Sequence, residues 1–185
     1  MKFALYTVPS PSHIGVMSAL AKELAHFGHT SCAIGLEDLA PELYKKGIEF
    51  IPVCSQEFPF GEITRRYQPL RHLFGLEALK YVVSVAYDVG ISLLNDGERA
   101  IRLPGADALI LDTSARGCEL IAMRMNLPFV HLSATVHEDR TGMTPIYCYD
   151  WPPEKGSEAF ARTLGRPKSF ERTCCAWNGC DPQIY

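Results

Sequence analysis

The sequence predicts a doubly wound, Rossmann-like α/β domain with a mostly parallel sheet, and three observations lead to that prediction. An apolar run occupies residues 3–8, an amphipathic pattern with three- and four-residue steps follows from Ile14 to Phe27, and a second apolar segment spans residues 31–35. A nearly continuous apolar strand is typical of a parallel sheet covered on both faces. Strand, helix and strand in this order form a right-handed crossover unit.

The first half of the chain continues this alternation. Ser12 is the expected N-cap of the first helix, and Gly28 is expected to end it. A short helix is expected over residues 37–46 and a third strand over residues 49–53. The order of these elements indicates one half of a doubly wound sheet.

The second half begins with a looser pattern. Residues 54–75 carry prolines and scattered aromatic side chains, which predicts a loop with helical pieces. A long helix is predicted over residues 76–94, with its continuation to residue 102 left open, followed by a strand at 108–112, a helix at 116–125 and a fifth strand at 129–132. The predicted sheet is therefore at least five strands wide.

Length and composition limit the number of domains. The chain has 185 residues, of which 47% are hydrophobic and 21% charged, as expected for a folded globule with one domain and at most a small annex. We assign residues 1–165 to that domain. Residues 166–185 form a Cys-rich tail without helix or strand periodicity.

Charge and local composition restrict the partners and the location. The formal net charge of −3 gives no general attraction to phosphate backbones, so a nucleic-acid partner is not expected. Pro9 and Pro11 interrupt the first apolar run before it could form a signal-peptide core or a membrane span. Seven cysteines without CxxC spacing favour reduced thiols. We therefore expect a cytoplasmic protein with at most peripheral membrane contact.

Two polar residues follow apolar strands at the edge of the sheet where ligands bind in such folds. His13 comes after the first strand and Asp112 ends the fourth, so topology places both beyond the carboxyl ends of the strands. A carboxylate that holds a histidine fixes its tautomer, and the other ring nitrogen can then take a proton from a hydroxyl. The spacing leaves a second interpretation open, in which Asp112 only caps the following helix entry and His13 is a solvated side chain.

Other kinds of chemistry have less support in the sequence. The first loop lacks the glycine spacing of a dinucleotide fingerprint and a Walker lysine, and no HExxH, paired CxxC or EF-hand loop is present, so no metal is expected. Cys118 is interpreted as an inert core thiol rather than a nucleophile. His131 is interpreted as a histidine at the sheet edge, and His137 as a candidate for lining a pocket.

Three segments resemble a known family. They are SHIGVMSALAKEL at residues 12–24, ADALILD at 106–112 and NLPFV at 126–130. In order and spacing they are similar to the amino-terminal half of GT-B fold, family 1 UDP-glycosyltransferases, above all the bacterial macrolide and carotenoid glucosyltransferases. The likeness spans residues 1–165. The chain departs from the plant-type pattern, because Ser12 replaces the glycine before the histidine.

The resemblance implies a reaction and roles for two residues. In this family a histidine after the first strand is the general base, and an aspartate after the fourth strand orients it. His13 and Asp112 occupy those positions. The implied reaction is transfer of sugar from a UDP-sugar co-substrate to an acceptor hydroxyl, with inversion and without a metal or other cofactor.

The resemblance also implies that this half of the fold binds the acceptor. Its pocket is expected to be lined by residues 54–75, the long helix and residues 147–151. The candidate acceptor-binding residues are Ser12, Phe60, Phe74, His137, Tyr147 and Trp151. Their aromatic character favours a bulky, lipophilic, hydroxylated small molecule. Filling of the core is an equally good interpretation of the aromatic side chains.

Three hypotheses for function follow. The family's His-Cys-Gly donor motif does not occur in the 185 residues, so the first hypothesis is a truncated acceptor-binding half, inactive or nearly so alone because both substrates must be held in reactive geometry. The second is a non-catalytic subunit that pairs with a donor-binding chain in trans. The third is a small-molecule binding module without sugar chemistry.

Overall fold

Five parallel strands form the sheet within residues 1–115 and 117–135, the part of the chain that this computed structural model describes. The strands are β1 (Lys2–Tyr6), β2 (Thr30–Gly35), β3 (Phe50–Pro52), β4 (Ala108–Asp112) and β5 (Phe129–Leu132). Their order is β3-β2-β1-β4-β5, and every neighbouring pair is parallel. The predicted doubly wound α/β fold is confirmed.

Five α-helices connect the strands. They are α1 (Pro11–His26), α2 (Ala40–Lys45), α3 (Glu62–Tyr67), α4 (Gly75–Arg102) and α5 (Cys118–Arg124). Short 3₁₀ turns at Glu37–Leu39 and Gln68–His72 precede α2 and follow α3. The segment predicted to be helical in pieces thus contains α3 and a 3₁₀ turn.

The start of α1 differs from the prediction. Ser10, in extended conformation, is the N-cap and Pro11 is the first helical residue, so Ser12, the expected cap, lies inside the first turn. Proline suits this first position, because its fixed φ is already helical and its missing N–H would have no partner in the helix. His13 is consequently the third helical residue.

The core covers both faces of the sheet. Successive side chains of a strand point to opposite faces, and accordingly Ala4 and Tyr6 pack into one cluster with Leu93 of α4, whereas Leu5 packs into the other with Met17 of α1. Each fully buried Leu or Met side chain contributes about 1.5–3 kcal/mol. Burial from both sides explains the continuous apolar run of β1.

Contacts group Met1–Ala134 into one compact unit. The predicted boundary at residue 165 and the tail at 166–185 lie outside the described residues and stay predictions. In the part of the chain that is described, no helix combines the length and the apolar character needed to cross a lipid bilayer.

Candidate functional site

The order of the strands determines where the site lies. The chain leaves β1 toward β2 on one side of the sheet, and the later strands β4 and β5 lie on the other side of β1. The crevice beyond the carboxyl ends of β1 and β4 is therefore the topological switch point, where open α/β sheets bind ligands. His13, at the start of α1, and Asp112, the last residue of β4, both reach this point.

The structure brings His13 and Asp112 into direct contact. His13 Nδ1 lies 2.6 Å from Asp112 Oδ2, and the two side chains are 9% and 0% exposed. His13 is thus not a solvated side chain at a helix start. Asp112 does act as a cap, because its Oδ1 accepts the backbone N–H of Ser114 at 2.9 Å. The two interpretations of Asp112 are therefore compatible.

A third side chain completes the surroundings of the carboxylate. Thr7, which is buried, donates its hydroxyl to Asp112 Oδ2 at 2.9 Å. Burying a carboxylate is costly unless its oxygens receive hydrogen bonds, and Asp112 accepts them from Thr7, Ser114 and His13. An ionised carboxylate is an acceptor alone, so this set of donors fits the ionised form.

The partners of Asp112 determine what His13 can do. With the carboxylate accepting at Nδ1, the neutral ring carries its proton on that nitrogen, and Nε2 keeps a lone pair. Nε2 can then take a proton from a hydroxyl, and the imidazolium that forms is stabilised by the adjacent carboxylate. The arrangement is suited to deprotonating an alcohol.

The acceptor-binding candidates within the described residues lie on the surface. Phe60 and Phe74 are 66% and 79% exposed, so neither fills the core. Phe60 precedes α3, and its backbone N–H donates to Glu37 Oε2 at 3.0 Å, whereas Phe74 is the N-cap of α4. Ser12 is exposed, with its Oγ 3.2 Å from Ser10 Oγ.

Three further candidates, His137, Tyr147 and Trp151, lie outside the described residues. Their assignment to an acceptor pocket stays a prediction, as do the catalytic roles of the residues that the structure does describe.

Thr7 is the residue of this site that the sequence analysis missed. The predicted first strand, residues 3–8, included it, and its hydroxyl received no separate weight. One signal was available, since Thr7 is a hydroxyl side chain at the carboxyl end of the first strand, the same edge that drew attention to His13.

Burial makes three thiols elsewhere in the fold poor nucleophiles. Desolvation raises the pKa of Cys32 to about 11 and that of Cys54 to about 12, and burial raises the pKa of Cys118 well above its ordinary value. Cys118 also shares a hydrogen bond with the buried Tyr6. Because the thiolate is the nucleophilic form, these pKa values agree with an inert core role for Cys118.

Within the described residues, the other candidates form no second centre. His131 lies exposed on β5, with its ring 5.6 Å from that of Phe129 in edge-to-face geometry. Among residues 1–115 and 117–135, no group of three His, Cys, Asp or Glu side chains is arranged to hold a metal ion.

Comparisons with known proteins point to one class. No protein-family model matches the chain. Zeaxanthin glucosyltransferase of Pantoea ananas is 26% identical over 160 residues, which cover 86% of this chain and 36% of that protein. The glycosyltransferase SnogD of Streptomyces nogalater superimposes with a TM-score of 0.56 at 17% identity, covering 94% of this chain and 39% of its own. The fold is that of the GT-B glycosyltransferases.

A further GT-B structure gives the same result. Spinosyn rhamnosyltransferase SpnG matches with a TM-score of 0.54 at 21% identity, covering 76% of this chain and 36% of its own. It has been solved with thymidine diphosphate and with spinosyn aglycone. The GT-B resemblance predicted from the sequence is confirmed. The chain spans 36% of the length of the curated relative it matches, which fits one half of a GT-B protein.

Proposed function

We propose that this GT-B domain carries the acceptor side and the general base of an inverting glycosyltransferase that acts on a hydroxyl of a bulky apolar molecule. The buried contact between His13 and Asp112 at the switch point carries the proposal. A relative named for glucosylating zeaxanthin and a GT-B structure with a bound aglycone support an acceptor that is lipophilic and hydroxylated.

The proposed reaction assigns one step to each group. His13 Nε2 takes the proton of the acceptor hydroxyl as its oxygen attacks the anomeric carbon of the sugar. The bond from that carbon to the nucleoside diphosphate breaks, and the diphosphate leaves with the electron pair. Attack from the face opposite the leaving group inverts the anomeric centre. Asp112 holds Nδ1–H and stabilises the imidazolium.

The proposed acceptor pocket uses the exposed aromatic side chains. Phe60 and Phe74 present large apolar surfaces without a role in the core, and burying such surface against a ligand is favourable. Ser12, next to His13, is the proposed polar contact to the acceptor. His137, Tyr147 and Trp151 are the proposed remainder of the pocket.

The proposed donor is a nucleoside diphosphate sugar, with UDP-sugar as the first choice. Thymidine diphosphate bound to SpnG makes a TDP-sugar the alternative. Both substrates must be held in reactive geometry, so a polypeptide of these 185 residues is expected to transfer sugar slowly or not at all until a donor-binding domain is joined to it or added in trans. If the chain is instead a non-catalytic subunit or a binding module without sugar chemistry, joining a donor-binding domain to it should produce no sugar transfer. The proposed location is the cytoplasm.

A chimera tests the proposal. Residues 1–165 are fused to the donor-binding half of zeaxanthin glucosyltransferase, and the fusion is incubated with zeaxanthin and either UDP-glucose or TDP-glucose. We expect a glucoside of inverted configuration from the fusion and at most a trace from the 185-residue chain. Acceptor titrations of the 185-residue chain run in parallel. A folded chimera without transfer, together with no acceptor binding, contradicts the proposal.

A further inference from the structure

We propose that Thr7 is a positioning residue for the His13–Asp112 pair, and that its hydroxyl selects the histidine tautomer in which Nε2 is free to act as a base. The inference rests on the proposed function, because it gives Thr7 a part in the same base. Thr7 has no expected contact with substrate. It acts through Asp112, whose Oδ2 accepts from both Thr7 Oγ1 at 2.9 Å and His13 Nδ1 at 2.6 Å.

The register of the sheet creates this contact. β1 and β4 are parallel neighbours, and Tyr6 pairs with Leu111. The residue after Leu111 is Asp112, which ends β4, and the residue after Tyr6 is Thr7, the first one beyond β1, so the two lie side by side at the carboxyl edge. Side chains that lie opposite each other on adjacent strands project from the same face of the sheet. The strand pairing that ends one residue earlier thus sets the hydroxyl beside the carboxylate.

The donors and acceptors around Asp112 determine where the protons lie. The backbone N–H of Ser114 can only donate, and it donates to Oδ1. The Thr7 hydroxyl donates its one proton to Oδ2, which favours the unprotonated form of this oxygen, the form that accepts from His13 Nδ1–H. Nδ1 must then carry the ring proton, which leaves the lone pair on Nε2. Without the hydroxyl, Oδ2 keeps His13 as its one remaining donor among these three groups, and the carboxylate is free to turn about its last bond.

A simple packing role for Thr7 makes a different prediction. If the hydroxyl of Thr7 donates to Asp112 only because a buried hydroxyl needs a partner, its removal would lower stability and leave the protonation of the His13 ring nitrogens unchanged. If it positions Asp112, its removal shifts the tautomer equilibrium. A hydrogen bond to a charged group is strong enough for a shift of about tenfold or more.

Nitrogen-15 NMR of the full 185-residue chain with labelled histidine separates the two roles. The chain has six histidines, and the signal of His13 is assigned by its loss in His13→Gln. We expect a protonated Nδ1 and an unprotonated Nε2 at pH 8. Thr7→Val, which keeps the β-branched shape, is expected to raise the minor tautomer about tenfold, whereas Thr7→Ser restores the hydroxyl and the original nitrogen shifts.

Ser18→Ala is the matched control. It removes another buried hydroxyl from the same helix as His13, one that donates to the Ile14 carbonyl instead of Asp112, and it should leave the His13 shifts unchanged. Unchanged shifts in Thr7→Val, or an equal change in Thr7→Ser, overturn the inference. If Thr7→Val does not fold, the wild-type chain decides, since a slowly exchanging Thr7 hydroxyl proton should show a nuclear Overhauser effect to His13 Nδ1–H, and its absence overturns the inference.

The readout needs no substrate, so the two proposals fail separately. A folded but inactive chimera without acceptor binding, together with a Thr7-dependent tautomer, rejects the glycosyltransferase proposal and keeps Thr7 as the group that orients the pair. An active chimera with a Thr7-independent tautomer rejects the role of Thr7 alone.

Discussion

His13 Nδ1 and Asp112 Oδ2 meet at 2.6 Å although 99 positions of sequence separate the two residues. The contact joins the first turn of α1 to the end of β4, and its geometry depends on the β1–β4 pairing beneath it. Burying this pair makes the stability of the fold depend on the hydrogen bonds that Asp112 accepts.

Replacing the carboxylate should lower the stability of the fold. In Asp112→Asn one oxygen becomes an NH₂ group that faces the donors now held by Asp112. A buried donor left without an acceptor costs about 1–3 kcal/mol, so the free energy of unfolding of the 185-residue chain should fall by that amount in urea titrations. Asp88→Asn removes an exposed partner of Arg66 and should cost less than about 1 kcal/mol. Equal losses in the two variants would contradict the arrangement.

The exposed aromatic residues should affect binding and leave stability nearly unchanged. Phe60→Ala and Phe74→Ala each remove a surface that we propose is buried by the acceptor, and affinity for an apolar acceptor should fall about tenfold. Phe27 is exposed at the other end of α1, at the opposite edge of the sheet, and Phe27→Ala is the control. Calorimetric titration measures all three variants. A similar loss in Phe27→Ala would mean that binding is nonspecific.

The close approach of α4 and α5 should be sensitive to one glycine. A Cβ at Gly97 would lie 2.6 Å from Ile121 Cδ1, whereas a Cβ at Gly15, also helical, would meet no atom within 4 Å. Overpacking of this kind costs about 1–3 kcal/mol, so Gly97→Val should lower the urea midpoint and Gly15→Val should leave it nearly unchanged. Equal midpoints would show that the end of the Ile121 side chain can move aside without cost.

Alkaline pH should destabilise the fold through its buried thiols. Below pH 9, the ordinary pKa of a cysteine thiol, Cys32 is neutral whether the chain is folded or not. Above it the unfolded chain loses the proton, while the folded chain keeps it up to a pKa of about 11. The free energy of unfolding should thus fall by about 1 kcal/mol per such thiol between pH 8 and pH 10. Cys32→Ala should show a smaller fall, measured by urea titration at both pH values. Parallel pH dependence in the two proteins would contradict the burial of this thiol.

The fold could be predicted because the apolar residues of the strands indicate that the sheet is buried on both faces. Residues 3–6 of β1 and 108–111 of β4 are apolar on both faces, which is what a parallel sheet covered on both sides requires. The amphipathic pattern of α1 and α4 indicates the layers that cover it. The start of α1 was placed wrongly because Ser10 and Ser12 are equally good caps by residue type. Pro11 decides between them through its preference for the first helical position.

The site could be predicted in part. Topology alone brings His13 and Asp112 to one edge, because the carboxyl ends of parallel strands lie together. Predicting the role of Thr7 requires the register between β1 and β4, because the Tyr6–Leu111 pairing sets Thr7 beside Asp112. The sequence of one strand does not show its register with another. The exposure of Phe60 and Phe74 likewise depends on how residues 54–75 pack, which their loose pattern does not specify.

The transfer rate of His13→Ala tests the central claim most directly. In the chimera with a complete donor half, loss of a general base should lower kcat about 10²–10⁴-fold, with acceptor affinity nearly unchanged, and Ser18→Ala should keep the wild-type rate. A His13→Ala chimera that transfers glucose within threefold of the wild-type rate would contradict the account.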